Sequence, residues 1–358
     1  RTGYKTNGID FPGRAARESL LTMIQSDAGL KSVNQALPGL ERAEAIFICG
    51  NNIEEAAPVV ATMIRRGARV RKIPLWQLSS HADGLTSFAS VAIHCGSAHW
   101  KGVLEGLAGA ELTPSDDGIS VEKWQALKRE FDAASGVAFV FPEAMLVSAD
   151  TSDVAKAFMK LAGKSGSAVQ ENGGLFAVTP NINNSGALLM GVSPNMLPGF
   201  VSVTDYKAAR RIEGAWDASE LPMEPFAAVE KALHAQHIKG LFVQDAAYLF
   251  EKDAEKWQRL LSQVEFLVVQ EIVPSPALDL AQVVLPSAGF GEQVGTVLNM
   301  EGRLLGLRRV FAPQGLACED WKVIAQIMAA QGLTFPKDLD AIRQEISALV
   351  PELADVKW

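Results

Sequence analysis

Thiols are scarce in this sequence: three cysteines in 358 residues, Cys49, Cys95 and Cys318, none of them in a Cys-x-x-Cys pair. A cubane iron–sulfur cluster wants about four thiolates in a clustered motif, and a disulfide framework wants paired cysteines in a small secreted chain. Neither fits, and the usage is that of a reducing compartment. There are five histidines, and the tightest spacing, His234 and His237, lacks the carboxylates of a zinc signature, leaving a solvated or helix-capping role as the alternative to a metal. No G-x-G-x-x-G run occurs, which removes the usual dinucleotide fingerprint. Basic residues are outnumbered 33 to 41, for a net charge of −8, and form no stripe interleaved with aromatics, so nucleic acid is not an expected partner. The longest charge-free window, residues 172–204, contains Pro180, Pro194 and Pro198 and so cannot be a spanning helix; no membrane insertion is expected. The sequence opens on Arg1 with no methionine and no leader, the expectation being a processed chain or a piece of a longer one.

What is present is apolar sequence in short β-rich runs. At 48% hydrophobic, the chain has material for more than one core, and two domains are the natural reading. Residues 45–49 (AIFIC) read as a buried strand ending in Gly50-Asn51-Asn52, followed by a helix over 54–66 and a strand over 68–73 stopped by Pro74. That is a β-α-β unit, whose right-handed crossover implies a parallel sheet. A strand at 91–94, a helix at 98–107, a surface connection at 110–119 and a helix at 121–134 continue the pattern. Residues 137–141 (VAFVF) open a second cycle, read as a second Rossmann-like layer, with a helix at 152–161. Further on come a helix at 226–235, a strand at 240–243, a helix at 251–262, strands at 266–269 and 282–285, and helices at 321–330 and 339–349. The fold class is α/β, with two Rossmann-like three-layer αβα domains at 1–131 and 132–335 and a helical tail at 336–358.

Polar residues cluster at the ends of these strands, where open α/β sheets place ligands. Gly50-Asn51-Asn52 has the physics of a phosphate loop, or of a plain strand–helix turn. Gly96-Ser97 reads as a helix N-cap or a ligand contact. The charge-free segment holding Asn183 and Gly186 allows close approach of a ligand, or forms a self-packed loop. Leu285 to Arg303 places Glu292, Thr296, Asn299, Glu301 and Arg303 in an apolar setting, with Arg303 expected to pair with Glu292 or Glu301.

The run E-x-x-G-T-x-x-N-x-E-G-R after V-V-L-P, closed by Asp320-Trp321, resembles the molybdopterin oxidoreductase family, and within it the large iron–sulfur subunit of NADH:quinone oxidoreductase. The resemblance covers residues 6 to 330. It implies the two-domain fold of the formate dehydrogenase type, and that Gly50, Asn51, Ser97, Asn183, Gly186, Thr296, Asn299 and Arg303 descend from positions lining a pterin dinucleotide. The match is incomplete. Thr6-Asn7-Gly8-Ile9-Asp10 with Arg14-Ala15-Ala16-Arg17 resembles T-N-x-I-D…R-x-C-H, and Ala16 stands where the family carries its molybdenum ligand. Ala98 stands where it carries a nucleotide-binding aspartate. The resemblance therefore implies a catalytically silent scaffold in a subunit that takes part in electron transfer from NADH to quinone. No cofactor is expected in this segment, and the iron–sulfur clusters belong to a separate N-terminal region. Expected partners are that region and other subunits of a respiratory complex, peripheral on the cytoplasmic face of a bacterial membrane. The alternative is the half of a molybdenum oxidoreductase, such as a formate dehydrogenase, that binds molybdopterin guanine dinucleotide.

Overall fold

The computed structural model describes residues 4–26, 35–112, 119–216 and 221–356. The chain divides into two compact units: residues 13–185 with 298–303, here the N-terminal unit, and residues 1–12, 186–297 and 304–358, the C-terminal unit.

The N-terminal unit is built on five parallel strands: β1 (Ala45–Cys49), β2 (Leu75–Ser79), β3 (Val91–His94), β4 (Val137–Pro142) and β5 (Gly174–Val178), in the order β3-β2-β1-β4-β5. Side chains of a strand alternate between faces, and both faces are apolar because both are covered. On one, Phe47, Trp76, Phe139, Phe141 and Leu175 pack with Val103 and Leu104 of the helix Ser97–Leu107 and Phe158 of the helix Ser152–Lys164. On the other, Ile46, Ile48, Leu75, Val140 and Phe176 pack with Val60 and Ile64 of the helix Pro58–Val70. Phe158 sits edge-on to Phe47 and to Phe139, with ring centroids 5.2 Å apart in each case, which fastens the register of β1 against β4.

The fold class stands, with changes in detail. Residues 68–73 are not a strand: the helix Pro58–Val70 runs into them because Gly67 packs inward, and the strand begins after Pro74, at Leu75. Residues 137–141 do not open a second layer: β4 pairs directly with β1. The division expected at residue 131 consequently runs through this sheet, between β3 and β4 in the chain, whereas the compact units separate at 185. The connection expected at 110–119 lies largely outside the described residues.

In the C-terminal unit, a short ribbon of β6 (Met196–Leu197) and β7 (Val201–Ser202) precedes a three-stranded parallel sheet of β8 (Gly240–Gln244), β9 (Phe266–Glu271) and β10 (Val283–Pro286), ordered β10-β9-β8. The single helix expected at 251–262 is two, Ala246–Lys252 and Ala254–Leu261, because Asp253 is extended and caps the second through Lys256 N–H. The helix expected at 226–235 is limited to Val229–His234. A two-stranded ribbon, β11 (Gly295–Leu298) with β12 (Leu304–Leu307), flanks the loop that carries Asn299 and Arg303, and the helices Asp320–Ala330 and Leu339–Leu349 follow as expected.

Gly50 closes β1 with a φ of +119°, and a Cβ there would lie 2.7 Å from Pro142 Cδ and 2.9 Å from Met145 Sδ. Gly50→Ala should therefore lower the free energy of unfolding by about 1–3 kcal/mol, the usual range for backbone strain or overpacking. Urea unfolding checks this; an unchanged midpoint would mean that Gly50 is not in contact with Pro142 at the end of β4 and Met145 after it.

Candidate functional site

The carboxyl ends of β1, β2, β4 and β5 converge on the side of the N-terminal unit where a doubly wound sheet offers a ligand crevice. The sheet order reverses between β1 and β4, so that crevice starts at Gly50. On the side where a Cβ would project, this glycine is packed against Pro142 and Met145. Asn51 is similarly engaged: its Nδ2 donates to Ser80 Oγ at 2.7 Å and its Oδ1 accepts from Ser80 N–H at 3.1 Å, tying the end of β1 to the end of β2. Asn52 adopts the left-handed conformation as N-cap of a short helix, Ile53–Ala56.

Beside that tie lies a hydroxyl–imidazole cluster. Ser79 Oγ donates to His81 O at 2.9 Å and stands 2.9 Å from His94 Nδ1. A hydroxyl has one proton, so with it given to the carbonyl, Nδ1 of His94 is the donor. Burial holds the His94 pKa below the ordinary histidine value, with Lys123 and His81 acting the same way against Asp83. Ser97 begins its helix, with Gly96 as the cap residue, and Ala98 offers only a methyl group. Cys49 is fully buried, which pushes its thiol pKa far upward and leaves it unreactive.

At β4 and β5 the environment changes. Arg17, on the helix Arg14–Ser26, donates from Nη2 to Glu143 Oε2 at 2.7 Å, and the two residues are 4% and 1% exposed. Arg17 Nε and Glu143 Oε1 have no hydrogen-bond partner among the described residues, so one half of a bidentate fork is unmade. Burial pushes the Glu143 carboxyl up to about 7 against the opposing pull of Arg17. Ala16 precedes this pair, buried at 4% exposure. Its methyl has no lone pair to give a metal, and no group of three or more His, Cys, Asp or Glu that could hold a metal ion occurs among the described residues. The residues present do not fit molybdenum held by a protein ligand.

Arg17 also lines a cavity of about 170 Å³ with Thr179, Asn181 and Asn184 after β5, and with Asn299 and Met300. Gly13, at φ +87°, lets Asn184 in: its Nδ2 is 2.8 Å from where a Cβ would be. The loop 298–303 is held from both sides. Asn183 Oδ1 accepts from Leu298 N–H at 2.9 Å, and Glu301 Oε1 accepts from Leu37 N–H at 2.9 Å. Asn299 organises the loop itself, its Oδ1 accepting from Glu301 N–H and Arg303 N–H. The expected charge pair is loose: Arg303 stands 3.9 Å from Glu301 with its side chain 71% exposed, while Glu292 turns back to accept from Gly289 N–H. Gly186 and Thr296 belong to the C-terminal unit, Gly186 inside the helix Asn184–Leu189 and Thr296 in β11.

In the C-terminal unit, Asp320 of the Asp-Trp pair joins the strand ends. Its Oδ1 accepts from Gln270 Nε2 at 2.7 Å and Ser287 Oγ at 2.6 Å, and its Oδ2 from Gln293 Nε2 at 3.1 Å. Glu271 accepts from Ser275 Oγ and Ala247 N–H; burial raises its pKa.

Glu143 was not singled out by sequence reasoning, nor were Ser79, Thr179 and Asn181. The readable signal for Glu143 was a carboxylate directly after the proline that ends an all-apolar strand. Its raised pKa has a stability consequence. Between pH 4.5, the ordinary value, and about 7 the folded chain binds the extra proton, so stability from this group is complete below 4.5 and is lost as pH rises to 7. Relative to Glu143→Gln, the wild-type chain should lose on the order of 3 kcal/mol across that window and nothing further above it. Urea melts of both proteins from pH 4.5 to 8.5 measure the difference; a difference that does not vary with pH would contradict it.

Comparison with known proteins agrees with this architecture. The sequence profile described as Molybdopterin oxidoreductase matches residues 3–330. An NADH-quinone oxidoreductase subunit of Rhizobium meliloti is 27% identical over all of this chain and 44% of its own length. The alpha subunit of an F420-dependent formate dehydrogenase of Methanococcus maripaludis is 23% identical, over all of this chain and 58% of its own. The chain thus spans about half the length of the curated relatives it matches. Among solved structures, acetylene hydratase from Pelobacter acetylenicus superposes with a TM-score of 0.58 over 98% of this chain and 57% of that one, at 15% identity, a likeness of fold. With the parallel sheets and the strand-end loops in place, the chain belongs to the molybdopterin oxidoreductase family.

Proposed function

We propose that this chain is a catalytically silent scaffold within a subunit that serves electron transfer from NADH to quinone. Iron–sulfur clusters and flavin would be borne elsewhere in the assembly. The observation that carries this reading is Ala16: a buried methyl at the position where the family resemblance calls for a metal ligand, followed by an arginine whose guanidinium is already committed to Glu143. The close packing at Gly50 and the Asn51–Ser80 tie support it, since both spend on internal packing the groups that would hold a dinucleotide. A relative at 27% identity is an NADH-quinone oxidoreductase subunit, which supports partners in a multi-subunit complex. No helix among the described residues is long and apolar enough to cross a membrane; peripheral attachment to the cytoplasmic face, through other subunits, is part of the proposal.

A second reading, that the chain binds molybdopterin guanine dinucleotide, is favoured by the polar cavity at Arg17 and by the ordered loops at Asn183 and Asn299. Tungstate separates the two, because it displaces molybdenum from pterin enzymes. In source cells grown on tungstate in place of molybdate, the assembly containing this chain should keep its full NADH–quinone activity. Loss of that activity in step with molybdenum depletion would favour the second reading.

A further inference from the structure

Residues 56–82 contain no aspartate or glutamate but five cations within eight positions, Arg65, Arg66, Arg69, Arg71 and Lys72. In a chain of net charge −8 this is a local reversal of sign. The cations lie on the second half of the helix Pro58–Val70 and the turn after it. Because that helix leads from β1 to the parallel β2, they stand at the amino ends of the strands, away from the crevice at Gly50. Val60, Ala61, Ile64 and Gly67 are buried, so the outer stripe is Val59, Thr62, Arg66, Arg69 and Val70, all exposed, the two valines at 65% and 71%. Local carboxylates do not neutralise the patch. Glu41 is shared between Arg66 at 3.4 Å and Arg71 at 3.1 Å, and Glu54 takes Arg65, while Arg69 and Lys72 make no ion pair among the described residues. Compensation of the helix dipole accounts for Arg69, the one cation in the last turn, and not for the four around it. Lys72 occupies the left-handed position past the helix end, φ +59°, so the chain keeps an ammonium where a glycine would fit more easily.

We propose that this stripe is the docking surface for a carboxylate-rich face of another protein subunit, with Arg66, Arg69 and Lys72 as its charged contacts and Val59 and Val70 as its apolar ones. Four of the five cations are arginine, which is enriched at protein interfaces where lysine is depleted and which meets carboxylates through two parallel hydrogen bonds. No aromatic occurs between residues 56 and 72 to stack on a base or enter a lipid interface. Charge complementarity of this kind steers encounter and fixes orientation, and it weakens with salt. The inference rests on the reading of the chain as part of a multi-subunit assembly, and not on its being catalytically silent.

Carbodiimide cross-linking of the assembly purified from source cells tests it, because the reagent takes up the water lost as an amine and a carboxylate in contact become an amide. Peptide mass spectrometry should find Lys72 Nζ joined to an aspartate or glutamate of a different subunit, and the link should fade at about 1 M salt, where screening reaches only about 3 Å. The double variant Arg69→Glu with Lys72→Glu, shown by thermal melt to be folded, should hold that subunit more than about tenfold more weakly, since it sets like charges against each other. A Lys72 linked only to carboxylates of this chain, in the same or a second copy, or linked to nothing, would overturn the proposal, as would undiminished retention of the subunit by the folded double variant. Binding of the wild-type chain to phosphatidylglycerol vesicles that the double variant loses, with no protein cross-link, would make the patch a lipid contact and overturn it too. Recovery of the chain with no other subunit would remove the assembly reading and this surface with it; an assembly that lacks the cross-link removes the surface alone.

Discussion

The pairing of β1 with β4 is the contact on which the N-terminal unit depends. Phe47 lies opposite Phe139 in the parallel register, and Phe158 closes edge-on over both rings. This pairing places the reversal of strand order between two fully apolar strands, so their carboxyl ends emerge side by side. Gly50 and Pro142 meet there because the register leaves them no alternative, and the positive φ at Gly50 follows from that proximity. At the switch point of the sheet, Gly50 is thereby packed against the chain's own proline and methionine.

A few residues away, the same strand end delivers Glu143 to Arg17. Taking both charges out of water is unfavourable unless each is well hydrogen-bonded, and here each retains one unsatisfied atom among the described residues. The pair is therefore a poor source of stability and a strong local determinant of electrostatics, with the carboxyl near half-titration at neutral pH. Ala16 lies next to it in a position that supplies packing and no chemistry. On the proposed reading, this is a site whose polar framework remains while its metal-binding group is gone.

Much of this was readable from the sequence, for identifiable reasons. β1, β4 and β9 are unbroken β-rich runs ended by turn residues or breakers, and they emerged where expected. Residues 68–73 misled because Val70 and Ile73 are β-branched and Pro74 stops one element as well as it precedes another, although Ala68 and Arg69 favour a helix; burial of Gly67 against Ile46 and Ile73 decided for the helix. The membership of β4 in the first sheet is a long-range pairing that no local period encodes. Of the candidate residues, Asn183 and Asn299 do organise the 298–303 loop. Arg303 was expected in a buried pair because its neighbours are apolar, yet it sits at a loop tip in solvent. Glu143 escaped notice because its partner lies 126 positions away in the chain.

A silent scaffold must leave the strand-end crevice empty of metal and pterin even when both are on offer. The direct measurement is elemental analysis for molybdenum and tungsten, run beside a fluorescence assay for oxidised pterin released on denaturation, using the chain purified from a host that makes the cofactor. Metal and pterin should both be absent. Stoichiometric pterin, with or without metal, would contradict the scaffold reading and would make the loops at Gly50, Ser97, Asn183 and Asn299 a working cofactor site.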